Sequence, residues 1–288
     1  MTDSTSVTAH TDTANRAVDA LAGLVARGGV LALTGAGIST DSGIPDYRGA
    51  GSRPASPIQY ADFLRADDVR RRYWARSLLG FRSFGVARPN AGHRALASLV
   101  DRGLSTVITQ NVDGLHQAGG SPSVVDLHGR IDRVICLGCG TMSARTGLQR
   151  RLEEANPGLE GREAAGRAEL DDRLRPDGDA VVEQWSDFVV LPCERCGGVL
   201  KPDVVFFGES VPAARVAESY AVVDDADVLV VAGSSLTVMS GLRFVRHAAR
   251  SGKPVAIVNR GATRGDDVAT VRLDAGTSEV LSGLAANL

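Results

Sequence analysis

Short β-branched runs, some of them apolar throughout such as VLVVA, alternate with helical patterns and constrain the fold of this 288-residue chain most strongly. Such runs are typical of strands covered on both faces, which occur in parallel sheets with crossover helices. The pattern therefore predicts an α/β fold with a doubly wound, Rossmann-like parallel sheet. The predicted strands are Gly29–Leu33, Ser105–Thr109, Asp227–Ala232, Pro254–Val258 and Thr270–Leu273, and the predicted helices are Ala17–Arg27, Ala91–Arg102, Pro212–Asp224 and Gly241–Ser251.

Two stretches interrupt this alternation. Residues 50–90 are rich in arginine and aromatic residues and are interpreted as helices and loops, whereas residues 131–199 contain all four cysteines. The charged part between Thr141 and Gln184 suits either a helical excursion or a loop. The predicted organisation is a disordered tail at 1–15, a Rossmann-like large domain from 16–49, 91–130 and 200–288, and a small domain from a helical module at 50–90 and a zinc-binding module at 131–199.

The net charge and the apolar content of the chain limit the partners and the location that the sequence predicts. The net charge of −2 argues against a nucleic-acid-binding face, which is usually basic. No run approaches the roughly 18 apolar residues of a membrane span, and the first fifteen residues lack the basic start and apolar stretch of a signal peptide. These features predict a cytoplasmic protein with no membrane or direct nucleic-acid partner. The near absence of lysine favours a bacterial, GC-rich source.

The four cysteines form two C-x-x-C pairs, Cys136 with Cys139 and Cys193 with Cys196, each followed by glycine. Two such knuckles direct four thiolates at one tetrahedral zinc ion, and four sulfur ligands leave no open position for chemistry. Disulfides are the competing interpretation, but nothing indicates an oxidising compartment. A nucleic-acid-binding zinc ribbon is a second competing use, which the net negative charge disfavours. The spacing predicts a structural zinc.

The loop Gly35-Ala36-Gly37-Ile38-Ser39 follows a predicted strand and is expected to lead into a helix, where its amides would face a pyrophosphate. A NAD dehydrogenase would also carry an acidic residue about twenty residues further on, but that distance falls in the segment GSRPASP. The dehydrogenase pattern is therefore incomplete. A second turn at Gly43-Ile44-Pro45 instead brings Asp46, Tyr47 and Arg48 directly after the loop.

Three further strand ends carry polar residues. Because ligands bind beyond the carboxyl ends of strands in open parallel sheets, these turns predict one polar cleft together with the glycine loop. Each turn taken singly also suits local capping, since Asn, Asp and Ser favour turns. The turns are Gln110-Asn111-Val112-Asp113, Gly233-Ser234-Ser235 and Asn259-Arg260-Gly261.

His128 follows a short apolar run and precedes Gly129 at the entrance to the cysteine module. A histidine with an ordinary pKa of about 6.5 can accept a proton at neutral pH, which suits a general base. A lone histidine is more often structural. His93 and His116 compete for the role, although neither follows a strand in the same way.

Together these motifs resemble the sirtuin family. GAGIS, GIPDYR, TQNVDGLH, the LHG histidine, the paired C-x-x-C, KPDVVFFGE, GSSLTV and Asn-Arg-Gly occur in family order from Gly35 to Gly261. Within the family the chain resembles class II, and the fourth human sirtuin in particular, through its IPDYR, YWAR and FFG tracts. The resemblance implies an NAD-consuming hydrolase of acyl-lysine proteins that hands the acyl group to ADP-ribose.

The resemblance also implies roles for the motif residues. Asp46 would hydrogen-bond the nicotinamide carboxamide beside Ile44 and Tyr47, with Arg48 near the phosphates, and His128 would act as base. NAD would be held by the glycine loop and by the turns at Gln110–Asp113, Gly233–Ser235 and Asn259–Gly261. Within the first of these turns, Asn111 would also be catalytic, positioning ribose and water with Gln110 and Asp113, and Val112 would contact NAD. The substrate peptide would add as a strand beside Val204-Val205-Phe206.

The tract RRYWARS places Tyr73 and Arg76 three residues apart, on one face of a helix. A phenol and a guanidinium suit a carboxylate, and class II sirtuins use this spacing for acidic acyl chains. The alternative is that Arg76, like Arg70, Arg71 and Arg72, is a solvated charge. Preference for acidic over acetyl groups is therefore a hypothesis.

Other functions remain open at this stage. A mono-ADP-ribosyltransferase or a lipoamidase would use the same cleft, and a dehydrogenase would produce reduced nicotinamide rather than free nicotinamide. An NAD-sensing module without turnover is disfavoured by the presence of His128.

Overall fold

The computed structural model describes residues 16–47, 57–158 and 185–288. Nine helices and nine strands lie in these ranges, apart from short 3-10 turns. The strands are β1 Val30–Thr34, β2 Leu104–Thr109, β3 Val124–Asp126, β4 Gly129–Cys136, β5 Met142–Ala144, β6 Leu200–Val204, β7 Val228–Ala232, β8 Val255–Val258 and β9 Val271–Leu273. The helices are α1 16–25, α2 Tyr60–Arg65, α3 Asp67–Val86, α4 Ala91–Ser98, α5 Leu115–Ala118, α6 Arg145–Ala155, α7 Ala213–Asp225, α8 Met239–Arg250 and α9 Thr277–Asn287.

The large sheet has six parallel strands in the order β3-β2-β1-β7-β8-β9. Its central strands β1, β7 and β8 are buried on both faces: successive side chains of a strand point to opposite sides, and helices cover both sides. In β7, for example, Val228 and Val230 pack with α1, α4 and α9, whereas Leu229 and Val231 pack with α7 and α8. The predicted doubly wound fold is confirmed. The order of strands reverses between β1 and β7, and ligands bind at this type of position.

The small sheet is antiparallel, in the order β5-β4-β6, and packs with α2, α3 and α6. Its core includes Phe63, Trp74, Leu148 and the buried cysteines Cys136 and Cys193. The sequence prediction assigns residues 200–204 to the large domain, whereas β6 pairs with β4 in the small sheet. The division into two domains otherwise stays a proposal.

Several elements differ from the sequence expectations. The helix expected over Ala91–Arg102 ends at Ser98 and continues as a 3-10 turn over Leu99–Arg102. The charged stretch after Thr141 contains a helix over Arg145–Ala155. The C-terminal helix Thr277–Asn287 was not predicted. Across the three described ranges, no helix combines the length and the apolar character needed to cross a membrane. The predicted tail at 1–15 lies outside the described residues.

Candidate active site

A cavity of about 810 Å³ lies beyond the carboxyl ends of β1, β2, β7 and β8 and reaches the end of β6 in the small sheet. It gathers nearly all of the residues predicted to bind cofactor or peptide. Those lining it are Gly35, Ala36, Gly37, Ser39, Ile44, Asp46, Tyr47, Tyr73, Gln110, Asn111, Val112, Asp113, His128, Val204, Val205, Phe206, Gly233, Ser234, Ser235, Asn259, Arg260 and Gly261. Arg48 lies outside the described residues.

The glycine loop crosses directly over the turn that follows β7. The Gly37 amide donates to the Gly233 carbonyl over 2.8 Å. A Cβ atom on Gly37 would lie 2.9 Å from that oxygen, and one on Gly35 would lie 2.8 Å from the Cβ of Ser234. Both glycines are therefore required by close backbone approach. This cradle fits an extended dinucleotide, because it leaves polar backbone exposed to the cavity without side chains in the way.

The expected α-helix does not follow this loop. Two 3-10 turns, Ala36–Ile38 and Thr40–Ser42, lie there instead. Gly43 adopts a left-handed conformation with φ of 83°, and Pro45 has no amide hydrogen to continue a helix. The interruption turns the chain so that Asp46 and Tyr47 line the cavity.

The turn after β2 is fixed by a hydrogen-bond network on Ser39. The Ser39 hydroxyl donates to Asp113 Oδ2 over 2.7 Å and accepts from Asn111 Nδ2 over 3.0 Å. The same Asn111 amide also donates to the Gly35 carbonyl over 3.1 Å. Each member of the network restricts the rotation of the next, so the Asn111 and Asp113 side chains are held in place before any ligand binds.

The turn after β7 is held in a strained backbone conformation. Leu236 has a φ of 55°, which an L-residue with a branched side chain rarely adopts. Its amide donates to the Ser234 hydroxyl, and that hydroxyl donates to Gln110 Oε1 over 2.7 Å. Beyond β8, Asn259 Nδ2 donates to the Arg260 and Gly261 carbonyls. Backbone strain maintained by such contacts is common at ligand sites.

His128 has a defined tautomer. Its Nδ1 lies 2.9 Å from the Gln110 carbonyl oxygen, which can only accept, so Nδ1 carries the proton of the neutral ring. Nε2 is therefore the unprotonated nitrogen, and the Ser240 hydroxyl lies 2.8 Å from it. Burial lowers the pKa of His128 to about 4; the Gln110 hydrogen bond opposes this shift and the charge of Arg215 adds to it. At neutral pH the ring is therefore uncharged and the Nε2 lone pair is free of a proton.

The two competing histidines lie in the interior, behind the glycine loop. His116 Nε2 is 2.8 Å from Thr34 Oγ1, and burial lowers the pKa of His116 to about 3. His93 Nδ1 accepts from the Asn90 amide, and its other nitrogen is 3.5 Å from Ser39 Oγ. Neither residue lines the cavity, whereas His128 does.

The wall formed by the end of β6 is fastened at several points. The Val205 amide donates to the His128 carbonyl over 2.8 Å, which ties this segment to the proposed base. The Phe206 amide donates to Glu209 Oε2 over 2.8 Å, and the same carboxylate oxygen lies 3.0 Å from the buried Lys201 Nζ. The Phe206 ring packs against Tyr73. These contacts fix the position of the segment on the cavity wall.

Of the two residues on α3 predicted to bind the acyl group, Tyr73 and Arg76, only one lines the cavity. Tyr73 lines the cavity, whereas Arg76 does not. Arg76 is nevertheless only 8 % exposed, so the alternative of a solvated charge is wrong.

The four cysteines meet at one point, with all four Sγ atoms within 4.8 Å of one another. The Sγ distances of 3.5 Å between Cys136 and Cys196 and 3.9 Å between Cys139 and Cys193 exceed a disulfide bond of about 2.05 Å. Four thiols in this arrangement fit a tetrahedral zinc ion. The cluster is at the far end of β4 from His128, up to about 26 Å away for eight strand residues, which suits a structural metal.

Sequence reasoning missed several residues of the site. Ser240 contacts His128 but comes after the recognisable GSSLTV motif, and a serine at a helix start gives no specific signal. Phe207, Glu209 and Arg243 also line the cavity. Phe207 and Glu209 lie within the quoted tract KPDVVFFGE, so the motif itself could have identified them.

Comparisons with known proteins agree with this geometry. The sequence model of the Sir2 family matches residues 35–240. An NAD-dependent protein deacetylase 1 of Streptomyces coelicolor is 61% identical over 251 residues, which cover 85% of this chain and 81% of the relative.

Two solved structures are also similar. A Sir2 enzyme described for its mechanism and regulation superposes with a TM-score of 0.71 at 27% identity, covering 94% of this chain and 97% of that chain. A complex of Sir2 with a p53 peptide and NAD+ has a TM-score of 0.64 at 28% identity, covering 90% and 92%.

Proposed function

The chain belongs to the Sir2 family, and from this membership we propose that it is an NAD-dependent protein-lysine deacylase. The reaction releases nicotinamide from NAD and transfers the acyl group of an acyl-lysine protein to ADP-ribose. One observation carries the proposal: the unprotonated Nε2 of His128 belongs to the same cavity as the glycine loop and the peptide-facing wall at Val205. A base, a dinucleotide cradle and a protein-binding edge are the three parts that this reaction needs.

The cofactor side of the cavity suits cleavage of NAD rather than hydride transfer. Asp46 is proposed to bind the nicotinamide carboxamide, with Ile44 and Tyr47 alongside, and all three line the cavity. Asn111 and Asp113, held through Ser39, would orient the ribose and water. NAD supplies a ribose carbon that accepts the acyl oxygen when nicotinamide leaves. Residues that hold nicotinamide away from the ribose plane favour that departure.

His128 is proposed to take a proton from the ribose hydroxyls. The Gln110 carbonyl keeps the proton of the free imidazole on Nδ1, which leaves the lone pair of Nε2 available. Ser240, hydrogen-bonded to Nε2, is proposed to hold the ring until a ribose hydroxyl takes its place. The structure thus supports general-base catalysis by a residue whose neutral form is maintained by burial.

Acyl-lysine peptides are proposed to add as a strand beside Val204-Val205-Phe206. The opposite side of the cavity is formed by the segment after Ser235, including Thr237 and Val238. Phe207 and Val238 are 38% and 37% exposed, so apolar surface is available at this edge. A peptide that binds as a strand between these two segments would gain backbone hydrogen bonds whatever its sequence, which suits an enzyme that acts on many protein substrates.

Product analysis tests the proposed function. The purified, zinc-replete protein is incubated with NAD and a panel of acyl-lysine peptides, and products are identified by mass spectrometry. Equal amounts of free nicotinamide, unmodified lysine peptide and acyl-ADP-ribose are expected. ADP-ribose attached to protein without acyl-ADP-ribose would instead identify a mono-ADP-ribosyltransferase. Intact NAD with every peptide would contradict the proposal.

The finer proposal is a class II enzyme that prefers acidic or longer acyl chains, including lipoyl, through Tyr73 and Arg76. Arg76→Met is expected to lower kcat/KM for a glutaryl peptide by about tenfold, with a change of less than about twofold for acetyl, because only glutaryl carries a charge. Arg71→Met, on the same helix, serves as the control. Equal loss on both substrates would refute a specificity role for Arg76.

A further inference from the structure

Arg145, the first residue of α6, has a guanidinium group with few partners. The residue is completely buried, with its Cζ 4.6 Å from the centroid of the Phe81 ring and 5.3 Å from that of Trp74. Nη2 donates to the Ser77 carbonyl over 3.3 Å. Nε and Nη1 have no acceptor among the described residues, and the buried indole Nε1 of Trp74 has none either. Three donor atoms are therefore unsatisfied in one place.

The charge of Arg145 also lacks a dedicated counter-ion in the part of the chain that the structure describes. Burial lowers the pKa of Arg145 to about 10, so the group remains charged at neutral pH. Tyr73 and then Glu153 act on Arg145 electrostatically, but the Glu153 carboxylate already accepts from Arg82 over 2.8 Å and from Gln149 over 2.8 Å. Buried arginines are usually paired with a carboxylate, because an unpaired buried charge is costly.

Two aromatic rings of α3, those of Trp74 and Tyr73, connect the position of this charge to the cavity. Tyr73 lines the cavity, and its ring centroid is 5.2 Å from that of Trp74, which in turn contacts Arg145. On the cavity side, Tyr73 neighbours Ile58, Val204 and Phe206 in the apolar lining. Such a layer has few dipoles to screen a charge, so the field of Arg145 extends into this end of the cavity.

We infer that Arg145 is a specificity-determining residue that favours acyl chains ending in a carboxylate. The inference rests on the proposed deacylase function and adds a second cation to the proposed role of Arg76. An acyl chain whose terminal carboxylate lies beside Tyr73 brings a negative charge opposite Arg145, across the rings of Tyr73 and Trp74, and so supplies the missing counter-charge. A neutral chain of equal length fills the same space without this attraction.

The test compares glutaryl-lysine with pentanoyl-lysine in one peptide sequence, because these acyl groups have equal length and differ in the terminal carboxylate. Wild-type protein is expected to have the higher kcat/KM for glutaryl. Arg145→Met is expected to lower the glutaryl-to-pentanoyl ratio about tenfold, whereas Arg145→Lys, which keeps the charge, is expected to stay within about threefold. Arg150→Met, at an exposed position of the same helix, should leave the ratio unchanged.

Three results would overturn the inference. Equal loss on both substrates in Arg145→Met would assign the residue a packing role, and an equal fall of the ratio in Arg145→Lys would show that charge is not responsible. A wild-type ratio of one or less would overturn it without any variant, which covers the case in which Arg145→Met does not fold. Acetyl-lysine turnover by the wild type separates these results from a failure of the deacylase function, since that failure would abolish nicotinamide release with every peptide.

Discussion

Replacing His128 with asparagine is expected to lower kcat for deacylation by about 10²- to 10⁴-fold, the usual contribution of general-base catalysis. Asparagine can still donate to the Gln110 carbonyl but has no basic nitrogen at the position of Nε2. The KM for NAD should change little, because the glycine loop and the turn after β7 are untouched. Steady-state release of nicotinamide measures both constants.

His247→Asn is the matched control, since His247 lies on α8, hydrogen-bonded to Asp224, and does not line the cavity. It should keep wild-type kcat. A His128→Asn enzyme that retains more than about one tenth of wild-type kcat would contradict the role of His128 as base.

The pH dependence of kcat/KM should also reflect the role of His128 as base. Because the pKa of His128 is lowered to about 4, falling pH protonates the base only well below the range of an ordinary histidine. The kcat/KM of the free enzyme should therefore stay nearly constant from about pH 7.5 to about pH 5.5. An acid limb centred near 6.5 would contradict a buried, neutral His128.

The second large effect is expected from Cys196→Ser, which removes one of the four sulfur ligands. We expect a zinc content well below one per chain and a melting temperature lower by on the order of 10 °C, because the metal joins β4 to the segment before β6. Activity should fall as the small sheet loosens, since β4 and β6 also position His128 and Val205. Elemental analysis and thermal unfolding measure the two quantities.

Ser143→Ala, at an exposed position of β5, is the control and should keep both zinc and stability. Removing zinc from the wild-type protein with a chelator should lower its melting temperature and activity as Cys196→Ser does. Adding zinc back to the chelated wild type should restore both. A stable, fully active Cys196→Ser protein without zinc would show that the cysteines do not serve a structural metal.

The sequence and the structure agree best for the large sheet. The runs that predict β1, β7 and β8 are almost wholly apolar, as expected for strands covered on both faces, and the β-branched residues of β2 and β9 extend the same pattern. The polar turns at their ends are equally clear, because the carboxyl edge of a parallel sheet is where side chains of distant segments converge. The cysteine cluster is also predicted from local sequence, because the C-x-x-C spacing is typical of turns that bind zinc.

The small sheet was harder to recognise. β4 and β6 include Arg130, Arg133, Lys201 and Asp203, which would ordinarily predict exposed loops. Lys201 and Asp203 are buried because their charges are met by partners from other segments, Glu209 for Lys201 over 3.0 Å and Arg133, seventy residues away in the chain, for Asp203 over 3.3 Å. No local pattern encodes such a pairing. The same holds for the fully buried Arg145, whose environment is formed by aromatic residues of α3.

The amino-acid sequence by itself determined the parallel sheet, the cysteine cluster and the set of loops that form the cavity, because these depend on local periodicity, spacing and strand ends. Only the tertiary structure decided which histidine faces the cavity in its basic form, that Ser240 lies beside it, and that a buried Arg145 lies behind Tyr73. Those features arise from hydrogen bonds, burial and charge between residues far apart in the chain, where the free energy of a side chain is set by its neighbours in space.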